Sequence, residues 1–563
     1  MRKTALYVSK NPFLIFILFF AFVFHMMIVF PSGSYYCFQE KCGYFFWGSH
    51  GHDSIWHVAL AENAFKTLPF TLPIFSGALL NGYNILLDII IFLFSKIGIP
   101  PLISFFKVIP LFWFILFTHA SIVIARKIIN NSLFIGLLLF FFFFGGSFGY
   151  LLTLYHNHTL NGSESLLAMQ SGHTLLNVQY GFSLLIILYI LMILLDKKIS
   201  SRKIIILGIL VFLNFGMKFY AGIISLLLIG SFFLKKSTKI KTLIFPSIVC
   251  GIGTVMALFI FYDPITALSH TSLFIFSPFA HVHSMIEEPS LFYLKNMTNA
   301  RYTLQKNGFG PRLFAIEVFS LLLYLFFNLG TRFFGLFYAL FLLLKRKLLK
   351  IDVSILFTII GSIILTTLFI QRGVWWNTVQ FFYYSLFLSN IYIARFVYKL
   401  LTKNRAGLFF GILIILLTIP ISFDFIREFS HFPSPAYLPE AELSALKFLQ
   451  KQPDGIVLTS LYDKNISYKW DDPKPLFAYA DTAYVSAFSH KKVYMADINQ
   501  LELLSINYHD RLQEENIWDC ELIKKINYIY EVHAIMQKKD FHSCASRLRA
   551  IFKNADITIY RRL

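Results

Sequence analysis

Three histidines and a tryptophan surround one acidic residue in His50-Gly51-His52-Asp53-Ser54-Ile55-Trp56-His57. A carboxylate in such a setting takes a proton from an acceptor hydroxyl, or holds a divalent cation such as Mg or Mn. His52 beside Asp53 is the candidate second ligand for that metal, and a histidine near neutrality can also relay protons. His57 follows Asp53 by four residues, so on a helix the two share a face, and both are candidate catalytic groups. The competing reading makes Asp53 the cap of a helix over 54–66, with the histidines at a membrane interface.

A second set of residues is cationic. Lys218 lies in Gly216-Met217-Lys218-Phe219-Tyr220, Arg332 follows Asn328-Leu329-Gly330, and Arg372 lies in Gln371-Arg372-Gly373-Val374-Trp375-Trp376-Asn377. All three stand at the ends of apolar runs where basic residues are otherwise scarce. An ammonium binds phosphate as a point charge and a guanidinium binds it through a bidentate fork. Asn377 and Gln380 add amides on one helical face near Arg372. The competing reading is cations snorkelling beside lipid headgroups among interfacial aromatics. His156, His158 and His173 on one outer loop read as solvated residues or as the lining of an acceptor entrance, and His281, His283, Glu287 and Glu288 on another read as an ordinary loop or as a set of metal-like composition. Asp481-Thr482-Ala483-Tyr484 reads as a glycan contact or as the edge of a packed domain.

The elements that must position these groups are set by hydropathy. The chain has 563 residues, is 57% hydrophobic with 66 Phe, and is only 14% charged, where soluble domains carry roughly a quarter charged residues. Its apolar runs approach the roughly 20 residues that a span requires. The predicted class is a polytopic α-helical membrane protein of about 11 spans, N-terminus in and C-terminus out. A net charge of +20 would suggest nucleic acid in a soluble protein. Here the basic residues cluster at alternate ends of the runs, so the charge reports topology and membrane lipids, and nucleic acid is not expected as a partner. The runs at 85–97 and 313–327 carry Asp88, Lys96 and Glu317, and are read as helices in the outer interface, with two extra spans as the alternative.

This topology places 32–102, 153–178, 263–329 and 423–563 outside. The predicted organisation is a transmembrane module over 1–422, a proline-punctuated linker over 423–439, and an outer α/β domain over 440–563. In that domain the reading places helices at 440–451, 500–515 and 542–552, and strands at 455–460, 492–495, 527–530 and 556–560. Cys37, Cys42, Cys520 and Cys544 fall outside and could form the pairs 37–42 and 520–544 or remain thiols.

The stretch from Asp53-Ser54-Ile55-Trp56-His57 through Leu72-Pro73, Gly77 and Asn81-Gly82-Tyr83-Asn84 to the helix at 85–97 resembles the GT-C superfamily of integral-membrane glycosyltransferases, of mannosyltransferase or arabinosyltransferase type. The resemblance covers the first 130 residues best. It implies a polyprenyl-phosphate-linked sugar donor, Asp53 as the catalytic acidic residue, and an acceptor outside a plasma membrane, in a bacterium the inner one. A second acidic residue in another outer loop would be drawn from Glu164, Asp263, Glu287 and Glu288. On this reading Lys218, Arg332 and Arg372 neutralise the departing lipid phosphate. The sugar (hexose or pentose) and the acceptor are not readable. The alternatives are a transporter or flippase of a lipid-linked glycan, and a non-catalytic receptor or scaffold.

Overall fold

A computed structural model describes residues 1–160, 168–236, 241–262, 274–289, 291–371, 374–535, 544 and 546–563. The chain divides into two compact units: Met1–Met26, Phe112–Ile260 and Thr271–Glu428 form one, and Met27–Leu111, Phe261–His270 and Phe429–Leu563 form the other.

The first unit is helical. Its centre is Val379–Leu401, whose side chains are buried almost without interruption from Val379 to Arg395. Against it pack Arg332–Leu344, Lys350–Leu368, Ser132–Phe144 and Arg405–Thr418. A helix that is apolar on most sides has to be enclosed by other helices or by lipid. Its Arg395 is matched from the neighbouring helix Lys350–Leu368, donating to both Asp352 oxygens at 2.9 and 2.8 Å.

Six helices among the described residues are long and apolar enough to cross a membrane: Pro12–Val29, Pro101–Ile128, Leu243–Tyr262, Pro311–Leu329, Lys350–Leu368 and Arg405–Ser430. Ser132–Phe144 and Gly149–Asn157, bent by 53°, make a seventh if they form one span. The sequence reading counts more because it includes runs that fold as shorter helices, such as Val178–Leu194 with 17 residues and Arg332–Leu344 with 13. The segment read as interfacial at 313–327 is the 19-residue helix Pro311–Leu329, whose length and composition are those of a crossing helix. Its Glu317 is buried in a polar cluster, with His283 Nε2 at 2.5 Å from one oxygen and Arg301 at 3.7 Å from the other. The segment at 85–97 folds as the short helix Leu86–Lys96.

The second unit is built from segments almost 400 residues apart in sequence. Strands Ser34–Phe38 and Lys41–Phe46 form a hairpin with Cys37 opposite Cys42, and these two cysteines are disulfide-bonded. Lys41–Phe46 pairs antiparallel with Ala436–Pro439, setting Gly43 opposite Pro439. Any β-carbon at Gly43 would collide with the Leu438 carbonyl. The segment after the first apolar helix, assigned from sequence to the transmembrane module, is therefore compact with the C-terminal segment.

A five-stranded mixed sheet follows, in the order Leu548–Lys553, Ile557–Arg562, Tyr528–Val532, Ile456–Thr459, Lys492–Val493. The last three strands are parallel and the first two antiparallel. The apolar runs expected as strands at 455–460, 527–530 and 556–560 are the buried centre of this sheet. Helix Glu440–Gln450 lies where its periodicity puts it. Two expectations differ. The helix read over 500–515 is two, Ile498–Leu503 and His509–Ile517. In the helix read over 542–552, Leu548–Lys553 is an edge strand, because pairing with Ile557–Arg562 overrides its weak helical pattern. Cys520 and Cys544 are disulfide-bonded.

Candidate active site

The helix carrying Asp53 starts where a tight turn ends. Gly48–Gly51 forms a single 3-10 turn, His52 is the N-cap, and Asp53–Asn63 is helical. Asp53 thus lies in the first turn, where the helix dipole favours an anion. The N-cap is His52 rather than Asp53, and it makes no side-chain capping bond. Ile55, Trp56, Val58 and Leu60 are buried and hold the helix in place. The Asp53 side chain remains 43% exposed.

Asp53 and His52 are bonded to each other, Oδ1 to Nδ1 at 3.0 Å. The other imidazole nitrogen of His52 stands 3.5 Å from Oδ1 of Asp497, whose side chain is fully buried. Asp481 completes the row, accepting from the Asp497 and Ile498 backbone N–H groups at 3.1 and 2.6 Å. Burial alone would lower the His52 pKa. Hydrogen bonds and charges from Asp497 and Asp53 outweigh it and push the value up to about 10. Burial, then the Asp497 charge, pushes Asp481 up to about 7.

One turn along the helix, His57 Nδ1 bonds Asp88 Oδ1 at 2.9 Å, with both side chains buried. A carboxylate in this position fixes the imidazole's orientation and tautomer. Tyr83 packs against His57 and Trp56, with ring centroids 6.2 and 5.8 Å away. Its pKa is raised by burial and then by the Asp53 and Asp88 charges. Asp53 and His57 therefore share a helix, as the spacing predicts, and each has its own acid–imidazole bond. The sequence reading missed Asp88 and Asp497 as site residues, and offered Asp481 only as a glycan contact or a domain edge. Asp88 was visible only as an acid in an apolar run, and neither Asp497 nor Asp481 carried a local signal connecting it to residue 52.

The expected divalent cation would need more than Asp53 and His52. Among the described residues no group of three or more His, Cys, Asp or Glu side chains could hold a metal.

The other expected residues lie in the helical unit. Tyr220 OH donates to Gln371 Oε1 at 2.6 Å, Asn377 Nδ2 donates to the same oxygen at 2.9 Å, and Gln380 Nε2 donates to Asn377 Oδ1. Lys218 is buried at the turn two residues before Tyr220 and ends helix Ser201–Met217. Asn377 and Gln380 are thus gathered, with Tyr220 and Gln371 added, and Lys218 is two residues from Tyr220 in sequence. Arg372, Glu164 and Asp263 lie outside the described residues.

Arg332 corrects the sequence reading. It was expected at a surface facing lipid phosphate, but it is only 1% exposed. Its Nε donates to the Leu329 carbonyl at 2.9 Å, and one Nη donates to Gln170 Oε1. Gly330, at φ +55°, turns the chain hard against the backbone of Gly146 and Ser147, which draws Arg332 inward. Of the loop residues, His281 donates or accepts with Thr378 Oγ1 at 2.7 Å and stacks on Trp375, and Glu287 holds the Arg301 guanidinium.

No family model matches the chain, and no curated protein matches it. Solved structures do. The oligosaccharyltransferase of Archaeoglobus fulgidus in its apo form matches with a TM-score of 0.50 at 13% identity, covering 92% of this chain and 69% of that one. AglB from Archaeoglobus fulgidus, in complex with an inhibitory peptide and a dolichol-phosphate, matches with a TM-score of 0.49 at 13% identity, over 93% and 70% of the two chains. ArnT from Cupriavidus metallidurans, bound to undecaprenyl phosphate, gives a TM-score of 0.38 at 9% identity, over 98% of each. At such identities the likeness is one of fold alone.

Proposed function

We propose that this membrane protein is a glycosyltransferase that moves a sugar from a polyprenyl-phosphate-linked donor to an acceptor on the outer face of the membrane. The observation that carries the reading is a half-exposed carboxylate, Asp53, at the start of a buried helix on a fold like that of the archaeal oligosaccharyltransferase, held by His52.

In the proposed reaction Asp53 accepts the proton of the acceptor hydroxyl as that oxygen bonds to the anomeric carbon. The bond from the anomeric carbon to the phosphate oxygen breaks, and its electron pair leaves with the lipid phosphate. Lys218 and Arg372 are assigned to that developing charge, with Asn377 and Gln380 as neutral donors. His57, bonded to Asp88, keeps the helix turn beneath Asp53 in a single arrangement. The two disulfides fit an oxidising compartment, and so an outward-facing second unit.

The test is transfer from a radiolabelled polyprenyl-phosphate sugar by the full chain in proteoliposomes. Asp53→Asn is expected to cut product formation by about 10²–10⁴-fold while the fold, followed by thermal unfolding, is retained. Wild-type turnover in that variant would refute the reading.

A further inference from the structure

Asp497 comes from the C-terminal segment, 444 positions after Asp53, and nothing in the proposed reaction uses it. Its environment is unusual for an ordinary cap residue. The side chain is fully buried, and Oδ2 has no hydrogen-bond partner among the described residues. The backbone is left-handed at φ +53°, a conformation that costs energy in a non-glycine residue and persists only where surrounding structure enforces it.

Three sets of bonds enforce it here. Asp481 holds two consecutive backbone N–H groups, those of Asp497 and Ile498. The chain just before Asp497 is docked on the first outer loop: Val493 N–H donates to the Pro73 carbonyl at 2.9 Å and Ala496 N–H to the Ile74 carbonyl at 3.0 Å. Ser76 N–H returns a bond to the Val493 carbonyl at 3.1 Å. The result sets Asp497 Oδ1 against His52 Nε2 at 3.5 Å, while His52 Nδ1 bonds Asp53. Asp497 also caps Ile498–Leu503 through the Gln500 N–H at 3.4 Å. Capping alone requires neither complete burial nor a second acid bracing the backbone, since exposed polar residues cap helices well.

We infer that Asp497 is a positioning residue: through His52 it fixes the orientation of the Asp53 carboxylate, so that the C-terminal segment completes the active site built on the first outer loop. This rests on Asp53 being the base of the proposed reaction. His52 Nδ1 bonds Asp53, while its Nε2 stands 3.5 Å from Asp497 Oδ1 as a charge contact without a hydrogen bond, so the buried Asp497 charge restrains the ring to which the Asp53 carboxylate is bonded. Loss of such an outer partner typically reduces activity by about 10–100-fold.

The experiment is a kinetic cycle in proteoliposomes with the full chain and a polyprenyl-phosphate sugar. Asn caps helices as well as Asp, so Asp497→Asn is expected to keep the thermal midpoint, lower kcat by about 10–100-fold, and leave both KM values unchanged. His52→Gln, which leaves the cap intact, is expected to lower kcat similarly, and the double variant to lose no more than either single one. Wild-type kcat in Asp497→Asn, a loss appearing in KM, or losses that multiply in the double variant would each overturn the inference. Asp53→Asn is run in parallel. If it is inactive while Asp497→Asn is normal, only the positioning role fails. If Asp53→Asn is itself active, the base assignment fails and the positioning role fails with it.

Discussion

Around Asp53 the polar groups meet as acid and imidazole: His52 with Asp53 and Asp497, and His57 with Asp88. Around Gln371 the partners are neutral, a phenol and two amides linked in series, with Lys218 nearby in sequence to Tyr220. The first arrangement can hold and move a proton, because it joins acids to imidazoles and each constrains the other. The second can only orient and donate hydrogen bonds. The contrast divides the proposed labour: proton transfer belongs to the first outer loop, and recognition of an anionic leaving group to the helical unit.

The sharpest way to break this division is at Asp53. Asp53→Asn is expected to reduce turnover by about 10²–10⁴-fold, the usual contribution of a general base, measured as product formed per enzyme in proteoliposomes. No comparable loss is expected from Gln371→Ala.

The buried pair should respond as structure rather than chemistry alone. Asp88→Ala strands His57 in an enclosed site, and breaking a buried pair from one side costs about 3–5 kcal/mol. A lowered unfolding midpoint in detergent would be the sign. An unchanged midpoint would mean that the His57–Asp88 bond is not needed by the fold.

Glu442 tests how the C-terminal segment tolerates a buried acid that has no imidazole partner in the structure's bonds. It accepts from Tyr530 OH at 3.1 Å, and burial pushes its pKa up from 4.5 to about 7. The folded state thus holds this proton more tightly than the unfolded state does. Its favourable contribution is complete below about pH 4.5 and is lost as pH rises through about 7, a difference on the order of 3 kcal/mol. Thermal unfolding of the full chain between pH 5 and 8 should show this decline, and Glu442→Gln should flatten it.

The smallest effect belongs to the neutral chain. Gln371→Ala or Gln380→Ala removes hydrogen bonds worth about 1 kcal/mol each, so KM for the lipid-linked donor should rise by roughly fivefold with kcat little changed. A fall in kcat with constant KM would move these residues out of the recognition role.

Much of the scaffold was legible because its signals are local. Pro12–Val29, Lys350–Leu368 and the strands at 456–459, 528–532 and 557–562 follow from runs of apolar residues, and any neighbourhood that buries them will serve. Asp53 was legible because an acid among histidines beside a span is a poor packing choice. Arg332 was misread because its inward turn depends on how closely Gly330 approaches Gly146 and Ser147, a distant contact. Leu548–Lys553 was misread because an edge strand takes its conformation from its partner.

By itself the chain's order of residues determined that this is a membrane protein with a C-terminal α/β segment, and that Asp53 is its most reactive-looking acid, since hydropathy and spacing act over a few turns of chain. Only the tertiary structure decided that Asp88 serves His57, that Asp497 faces His52, and that residues 41–46 share a sheet with 436–439. Those partners are from 31 to almost 450 positions apart. Hydrogen bonds and ion pairs act over a few ångströms of space, so no local pattern could have announced them.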